Sequence, residues 1–278
     1  MPKSLSIIGA GRLGKTLAKL LADSRMFDLQ DVMTRSPESA MAAVNFIGAG
    51  RPISDYKDLH PADVYLISTP DDRIVSCCDA LARTGVLNTD SVVFHCSGAL
   101  ASNALQAASE LGAAVASIHP IRSFASPEQV ARNFAGTWCG VEGDQRALDI
   151  LFDGFATIGA QWVSIKPEAK ILYHAAAVFA SNYLVTLVDV AKKAFEVSGI
   201  PPDLALQLIQ PLMLETANNI FKLGPEAALS GPIARGDMAT VEKQSKVIAH
   251  WNRQYGELYD QFAALTVELA ARRSRTPE

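Results

Sequence analysis

The segment Ile7-Ile8-Gly9-Ala10-Gly11-Arg12-Leu13-Gly14 constrains this chain more than any other. Before it, Ser4–Ile8 reads as a buried strand. After it, Arg12–Ser24 places Leu13, Leu17, Leu20 and Leu21 at helical spacing. A G-x-G-x-x-G pattern alone is weak, but at a strand-to-helix turn each glycine has a task. Gly9 makes the tight turn, Gly11 lets a pyrophosphate approach the backbone, and Gly14 lets helix and strand pack closely. The helix start offers free N–H groups and a partial positive charge to phosphate. Gly9, Ala10, Gly11, Arg12, Leu13 and Gly14 are therefore expected to form a phosphate loop.

The alternation continues. Leu29–Thr34, Val64–Thr69, Ser91–His95, Ala114–Ile118, Thr137–Val141 and Gln161–Ile165 read as strands, with helices such as Asp71–Arg83, Ser102–Leu111 and one from Gln145 between them. Ser36-Pro37-Glu38 starts another helix with a Ser cap, a first-turn Pro and an acid near the positive dipole end. Strands alternating with helices imply an α/β, Rossmann-type, doubly wound and mostly parallel sheet. Ile-Gly-Ala-Gly-Arg recurs at Ile47–Arg51, but after a helix, before Pro52 and without the third glycine. It reads as a helix C-cap and loop.

The end of the second strand decides which dinucleotide fits. An NAD site wants Asp or Glu there for the ribose hydroxyl. This chain has Thr34-Arg35-Ser36, so Arg35 can bond a 2′-phosphate and the two hydroxyls can assist, which points to NADP. Ser68-Thr69-Pro70 and Ser97-Gly98 follow later strands and are expected to line the nicotinamide side.

After Lys166 the strand signals stop. Pro167–Val197 reads as one long helix, Gly199-Ile200-Pro201-Pro202 breaks it, and Asp203 can cap the next. A Gly- and Pro-rich loop, Gly231–Gly236, precedes a helix capped by Asp237 and running to about Trp251, and a last helix spans Glu257–Arg273. The expected domains are 1–165, binding the dinucleotide, and 166–278, an all-α substrate and dimerisation domain. With 49% apolar residues a sizeable core can form, and a net charge of −4 gives no basic surplus for nucleic acid. Arg272, Arg273 and Arg275 read as a solvated basic end. The start has no signal-peptide pattern, and the apolar stretches read as broken short of a membrane span. Cys77, Cys78, Cys96 and Cys139 match no metal or redox spacing, so free thiols in a reducing cytoplasm and no metal are expected.

Three groups are candidates for chemistry. Ser97 and His119 each follow a strand, and a His at such an edge can move a proton near neutral pH. His95 reads as a structural residue inside its strand. Lys170 and His174 are four apart and share a helix face, with Asn182 further along near it. Arg235, in Gly231-Pro232-Ile233-Ala234-Arg235-Gly236-Asp237, and Arg122, in His119-Pro120-Ile121-Arg122-Ser123, compete as anchors for a substrate carboxylate.

In order, the Gly-Ala-Gly-Arg-Leu-Gly loop, Thr-Arg-Ser, His-Cys-Ser-Gly, Ser-Ile-His-Pro, Lys-x3-His-Ala-Ala-Ala and Gly-Pro-Ile-Ala-Arg-Gly-Asp resemble bacterial NADP oxidoreductases. These pair a Rossmann-like domain with a C-terminal helical domain of unknown function. More distantly the chain is similar to 6-phosphogluconate and 3-hydroxyisobutyrate dehydrogenases and ketopantoate reductase. That likeness implies a catalytic role for Lys170, with His174 standing where those enzymes have Asn. Likeness to prephenate dehydrogenases implies substrate contacts from Ser97 and His119, although the Gly that follows their His-Pro is absent here.

The resulting expectation is NADP(H)-dependent hydride transfer to or from a small carbonyl, hydroxyl or imine compound with a carboxylate. Lys170 or His119 would be the proton donor, with Ser97 and His174 assisting. The alternatives are a non-catalytic NADPH sensor and a prephenate-type oxidative decarboxylase. The Ala-rich helix Ala175–Val190 exceeds the apolar surface one small domain needs, so a homodimer is expected.

Overall fold

The computed structural model describes residues 2–273; Arg275 lies outside them. The chain forms two compact units, Met1–Ser181 and Asn182–Glu278. The sequence reading had placed the division at residue 165.

The first unit contains β1 (Lys3–Ile8), α1 (Arg12–Asp23), β2 (Phe27–Met33), α2 (Pro37–Ile47), β3 (Arg51–Ile53), β4 (Val64–Ile67), α3 (Asp71–Ala82) and β5 (Val92–His95). It continues with α4 (Gln106–Ser109), β6 (Ala114–Pro120), α5 (Pro127–Arg132), β7 (Trp138–Gly143), α6 (Gln145–Thr157), β8 (Gln161–Ser164) and α7 (Lys170–Ala180). The strands form one sheet in the order β3-β2-β1-β4-β5-β6-β7-β8. Every neighbouring pair is parallel except β6 and β7, which run antiparallel from Ala116↔Gly143 to Pro120↔Cys139. Strand order reverses beside β1, and that switch point leaves a crevice at the carboxyl ends of β1 and β4. The near-continuous apolar strands are buried on both faces, as a covered parallel sheet requires.

Several sequence boundaries shift. Ser102–Leu111 is a 3-10 turn, Ser102–Leu105, followed by the short α4. In the second Ile-Gly-Ala-Gly-Arg run, Gly48 is the left-handed cap of α2, but Arg51 opens a strand that the sequence reading missed. Arg51 Nε donates to the buried Asp31 carboxylate at 2.8 Å, and this cross-brace holds β3 on the sheet edge. The four cysteines are free.

The expected continuous helix Pro167–Val197 is divided. Pro167–Ala169 is a 3-10 turn, α7 ends at Ala180, and Ser181 leaves helical geometry at φ −128°, ψ −67°. The stretch was also expected to fall short of a membrane span. Yet by length and composition Pro167–Val197 is apolar enough to cross one, with a mean hydropathy of 1.5 in an 18-residue window.

The second unit contains α8 (Asn182–Val197), α9 (Pro202–Leu223), α10 (Pro225–Ala228), α11 (Met238–Trp251) and α12 (Arg253–Arg273). Asp203 sits in the first turn of α9, where Pro201 is the N-cap, so it is not the cap. Asp237 does cap α11, accepting from Thr240 N–H at 3.1 Å.

Candidate functional site

The phosphate loop folds as its glycines require. Gly9 has φ +90°, and a Cβ there would come within 2.9 Å of Thr69 N. A Cβ on Gly14 would lie 2.1 Å from Ser68 Oγ and 2.7 Å from Gly9 O, so only glycine lets α1 cross β1 and β4 this closely. A Cβ on Gly11 would meet nothing within 4 Å, so that face is open. No side chain caps α1 and no acid lies in its first turn, which leaves its first N–H groups available to an anion.

Around this loop lie the other groups expected to face a dinucleotide. Ser36 caps α2, accepting from Ser39 N–H at 3.3 Å, and Thr34 Oγ1 donates to Ser36 O at 2.9 Å. That hairpin of bonds presents Arg35, which is exposed and makes no side-chain hydrogen bond or ion pair within the described residues. Ser68 Oγ bonds Gly9 O, tying β4 to the loop. Thr69 Oγ1 is buried without a partner. A buried hydroxyl left unpaired beside an open glycine edge is the kind of orphan a bound ligand satisfies. These residues fit a phosphorylated dinucleotide.

Beyond β5 and β6 the sheet edge carries a second cluster. Ser97 Oγ donates to Asp71 Oδ2 at 2.8 Å and accepts from Ala99 N at 3.1 Å and Leu100 N at 2.9 Å. A hydroxyl has one proton and two lone pairs, so Ser97 is fully used. It shapes the turn. His95 is structural, as expected. Its Nδ1 accepts from Ser97 N–H at 3.1 Å, its Nε2 donates to Ala101 O at 3.1 Å, and burial lowers its pKa to about 4.

Lys170 is 1% exposed. Its ammonium donates to Ser97 O at 2.9 Å and to Ser117 Oγ, and it lies 3.8 Å from Glu142 Oε1. Glu142 in turn accepts from Ser102 N at 2.8 Å and Ser102 Oγ at 2.7 Å. The ammonium thus makes two hydrogen bonds and one ion pair. Burial lowers the Lys170 pKa, and Glu142 opposes that shift. These bonds pin α7 to the sheet from beneath the Ser97 turn.

One turn later α7 delivers Tyr173 and His174. His119 Nδ1 lies 2.9 Å from Tyr173 Oη, with the rings edge to face at 86°. The rings of His119 and His174 are 5.6 Å apart at 80°. A Cβ on Gly98 would lie 2.3 Å from His174 Nδ1 and 2.9 Å from His119 Nε2, so glycine makes room for both imidazoles. His174 Nδ1 is buried without a partner. Burial, then the nearby His174 and Lys170, lower the His119 pKa to about 4 against the pull of Asp71. His119 is therefore a neutral imidazole at pH 7, able to polarise or orient a polar group through Nε2.

The proposed carboxylate anchors separate. Arg122 donates to Asn133 O, to Asn133 Oδ1 at 2.5 Å and to Thr137 Oγ1 at 3.1 Å, so its guanidinium braces the β6–β7 connection. Arg235 ends a 3-10 turn, Ile233–Arg235, in the second unit, and is exposed with no side-chain hydrogen bond among the described residues. Asn182 opens α8, in the second unit.

The sequence reading missed Asp71, Ser117, Glu142 and Tyr173. The only sequence signals were Asp71 directly after Ser68-Thr69-Pro70, and Tyr173 lying between Lys170 and His174. Glu142 and Ser117 carried none.

A model of a Rossmann-like domain matches residues 2–120, and the model of DUF2520, a domain of unknown function, matches residues 137–266. No curated protein matches the sequence. Among solved structures, protein TM1727 of Thermotoga maritima is 30% identical, with a TM-score of 0.76 over 98% of this chain and 100% of that one. BF3122 of Bacteroides fragilis, a candidate NADP oxidoreductase, is 21% identical with a TM-score of 0.78, covering 96% and 98% of the two chains. Plasmodium falciparum pyrroline carboxylate reductase with NADP bound shares the fold at 13% identity, TM-score 0.60, over 96% and 98%. At 30% identity over nearly all of both chains, this chain belongs to the family of TM1727, and it joins a Rossmann-like domain to the domain of unknown function DUF2520.

Proposed function

We propose that this protein is an NADP(H)-dependent dehydrogenase or reductase acting on a small carbonyl, hydroxyl or imine compound. The observation that carries the reading is a shared sheet edge. The open glycine loop, the unpaired Arg35 and the orphaned Thr69 hydroxyl lie along the same strand ends as the neutral His119. The family relationship and the NADP-bound reductase of the same fold are consistent with it.

NADP(H), when bound, supplies or accepts the hydride. The chain supplies position. The α1 N-terminus holds the pyrophosphate, Arg35 the 2′-phosphate, and His119 Nε2 bonds the reacting oxygen or nitrogen. Lys170 and Ser97 hold the frame on which His119 and His174 sit. A prephenate-type decarboxylation would ask the Ser97 hydroxyl to exchange its bond to Asp71 for one to substrate.

We also propose that a second copy covers the helical surface. In the second unit Val185, Leu212 and Phe221 are 71%, 61% and 89% exposed. Apolar side chains in such number are costly to leave in water. Sedimentation that reports a monomer at micromolar concentration would remove this part of the proposal.

The test of the function is a paired titration with NADPH and NADH, followed by fluorescence of Trp138, Trp162 and Trp251. A panel of small oxo acids and imines is then assayed for NADPH oxidation. A preference for NADPH of about tenfold, ~1.4 kcal/mol, and turnover of a panel member support the reading. Tight NADPH binding with no turnover, but NADPH-dependent change in assembly, would favour a sensor instead. Binding of neither nucleotide ends the proposal.

A further inference from the structure

His119 can present either a proton or a lone pair from Nε2, depending on which ring nitrogen is protonated. The tautomer is set by the bond its other nitrogen makes. We propose that Tyr173 is a positioning residue that fixes this tautomer: its hydroxyl donates to Nδ1 of His119, which leaves the ring proton on Nε2, facing the reacting atom.

The geometry assigns the direction of that bond. The contact is 2.9 Å, and the phenol meets the imidazole edge to face. Among the described residues His119 Nδ1 is the only hydrogen-bond acceptor at the phenol, so it is the group available to the phenol proton. Burial keeps the phenol protonated, raising its pKa to about 12, while His119 stays neutral. A neutral donor therefore meets a neutral acceptor.

The surroundings are shaped for this contact. A Cβ on Gly140 would lie 2.5 Å from Tyr173 Oη and 2.8 Å from Cζ, so β7 leaves a glycine-sized notch for the ring. Lys170, one turn earlier on α7, anchors the helix that carries the phenol. The contact thus joins α7 to β6 at the one ring that this site would turn toward substrate.

Chemically, an Nε2–H donor suits polarising a carbonyl or imine. The opposite tautomer would present a lone pair suited to receiving a hydroxyl proton. The inference rests on the proposed function only for its consequence, since the tautomer exists whether or not hydride transfer occurs.

The test is a long-range proton–nitrogen NMR correlation of the full chain with 15N-labelled histidine at pH 7.5. His119→Gln identifies the His119 signals. The expected result is an unprotonated Nδ1 and a protonated Nε2 for His119. In Tyr173→Phe the Nδ1 signal should move toward that of an acceptor without a partner, and the two tautomers should begin to mix. A wild-type His119 protonated on Nδ1 overturns the proposal. So does a Tyr173→Phe spectrum identical to wild type. Should the variant fail to fold, the wild-type tautomer alone decides. Failure of NADPH binding would strike the proposed function and leave this result standing.

Discussion

Lys170 Nζ lies 2.9 Å from the carbonyl oxygen of Ser97, 73 residues earlier in the chain, and this bond ties α7 to the turn beside His119. The cation is buried, and so is its counter-ion Glu142. Removing one member of a buried pair strands the other, at about 3–5 kcal/mol. Lys170→Met should therefore lower unfolding free energy by roughly that amount, and urea denaturation reads it directly. If Lys170→Met kept wild-type stability and lost only turnover, Lys170 would return to the chemistry.

Arg35 should matter to one nucleotide and not the other. Arg35→Ser is expected to weaken NADPH binding about tenfold or more, about 1.4 kcal/mol, and to leave NADH unchanged. Fluorescence titration of wild type and variant checks this. An equal loss for both nucleotides would place Arg35 away from the 2′-phosphate.

Gly14→Ala places a Cβ 2.7 Å from the backbone oxygen of Gly9, a group that cannot swing aside. Overpacking of this kind costs about 1–3 kcal/mol. The substitution should lower the melting temperature and weaken NADPH together. Gly98→Ala should act differently, pressing on the side chains of His119 and His174 and lowering turnover while NADPH affinity is kept.

His95 and His119 both stay neutral to about pH 4 in the folded chain. Unfolded, each would protonate near pH 6.5. Between those values the unfolded chain binds more protons, so stability is full above about pH 6.5 and falls progressively toward pH 4. The fully buried His95 accounts for about 3 kcal/mol of this at most. Urea unfolding from pH 7.5 to 4 should show the decline, and His95→Gln should flatten it by about that share. A wild-type profile flat across this window would contradict the buried neutral histidines.

The sequence alone determined the Rossmann-type alternation, the glycine turn from β1 to α1, and the placing of Arg35 and His119 at strand ends. All of these rest on local signals: glycine spacing, periodicity, caps, and residues at strand ends. It did not determine what each side chain touches. Ser97 and Lys170 looked reactive, and Arg122 looked like a free anchor, because their types suit catalysis and binding. In the structure they have partners that the sequence does not show: Asp71, Ala99 and Leu100 for Ser97, the Ser97 carbonyl, Ser117 and Glu142 for Lys170, and Asn133 and Thr137 for Arg122. Those partners come from other strands and turns, some of them many tens of residues away. Only the folded sheet, with β7 turned antiparallel beside β6, brings Glu142 to Lys170 and opens the Gly140 notch for Tyr173. Which polar groups remain free for a ligand is thus a property of packing, because a buried donor is silent once its acceptor is found.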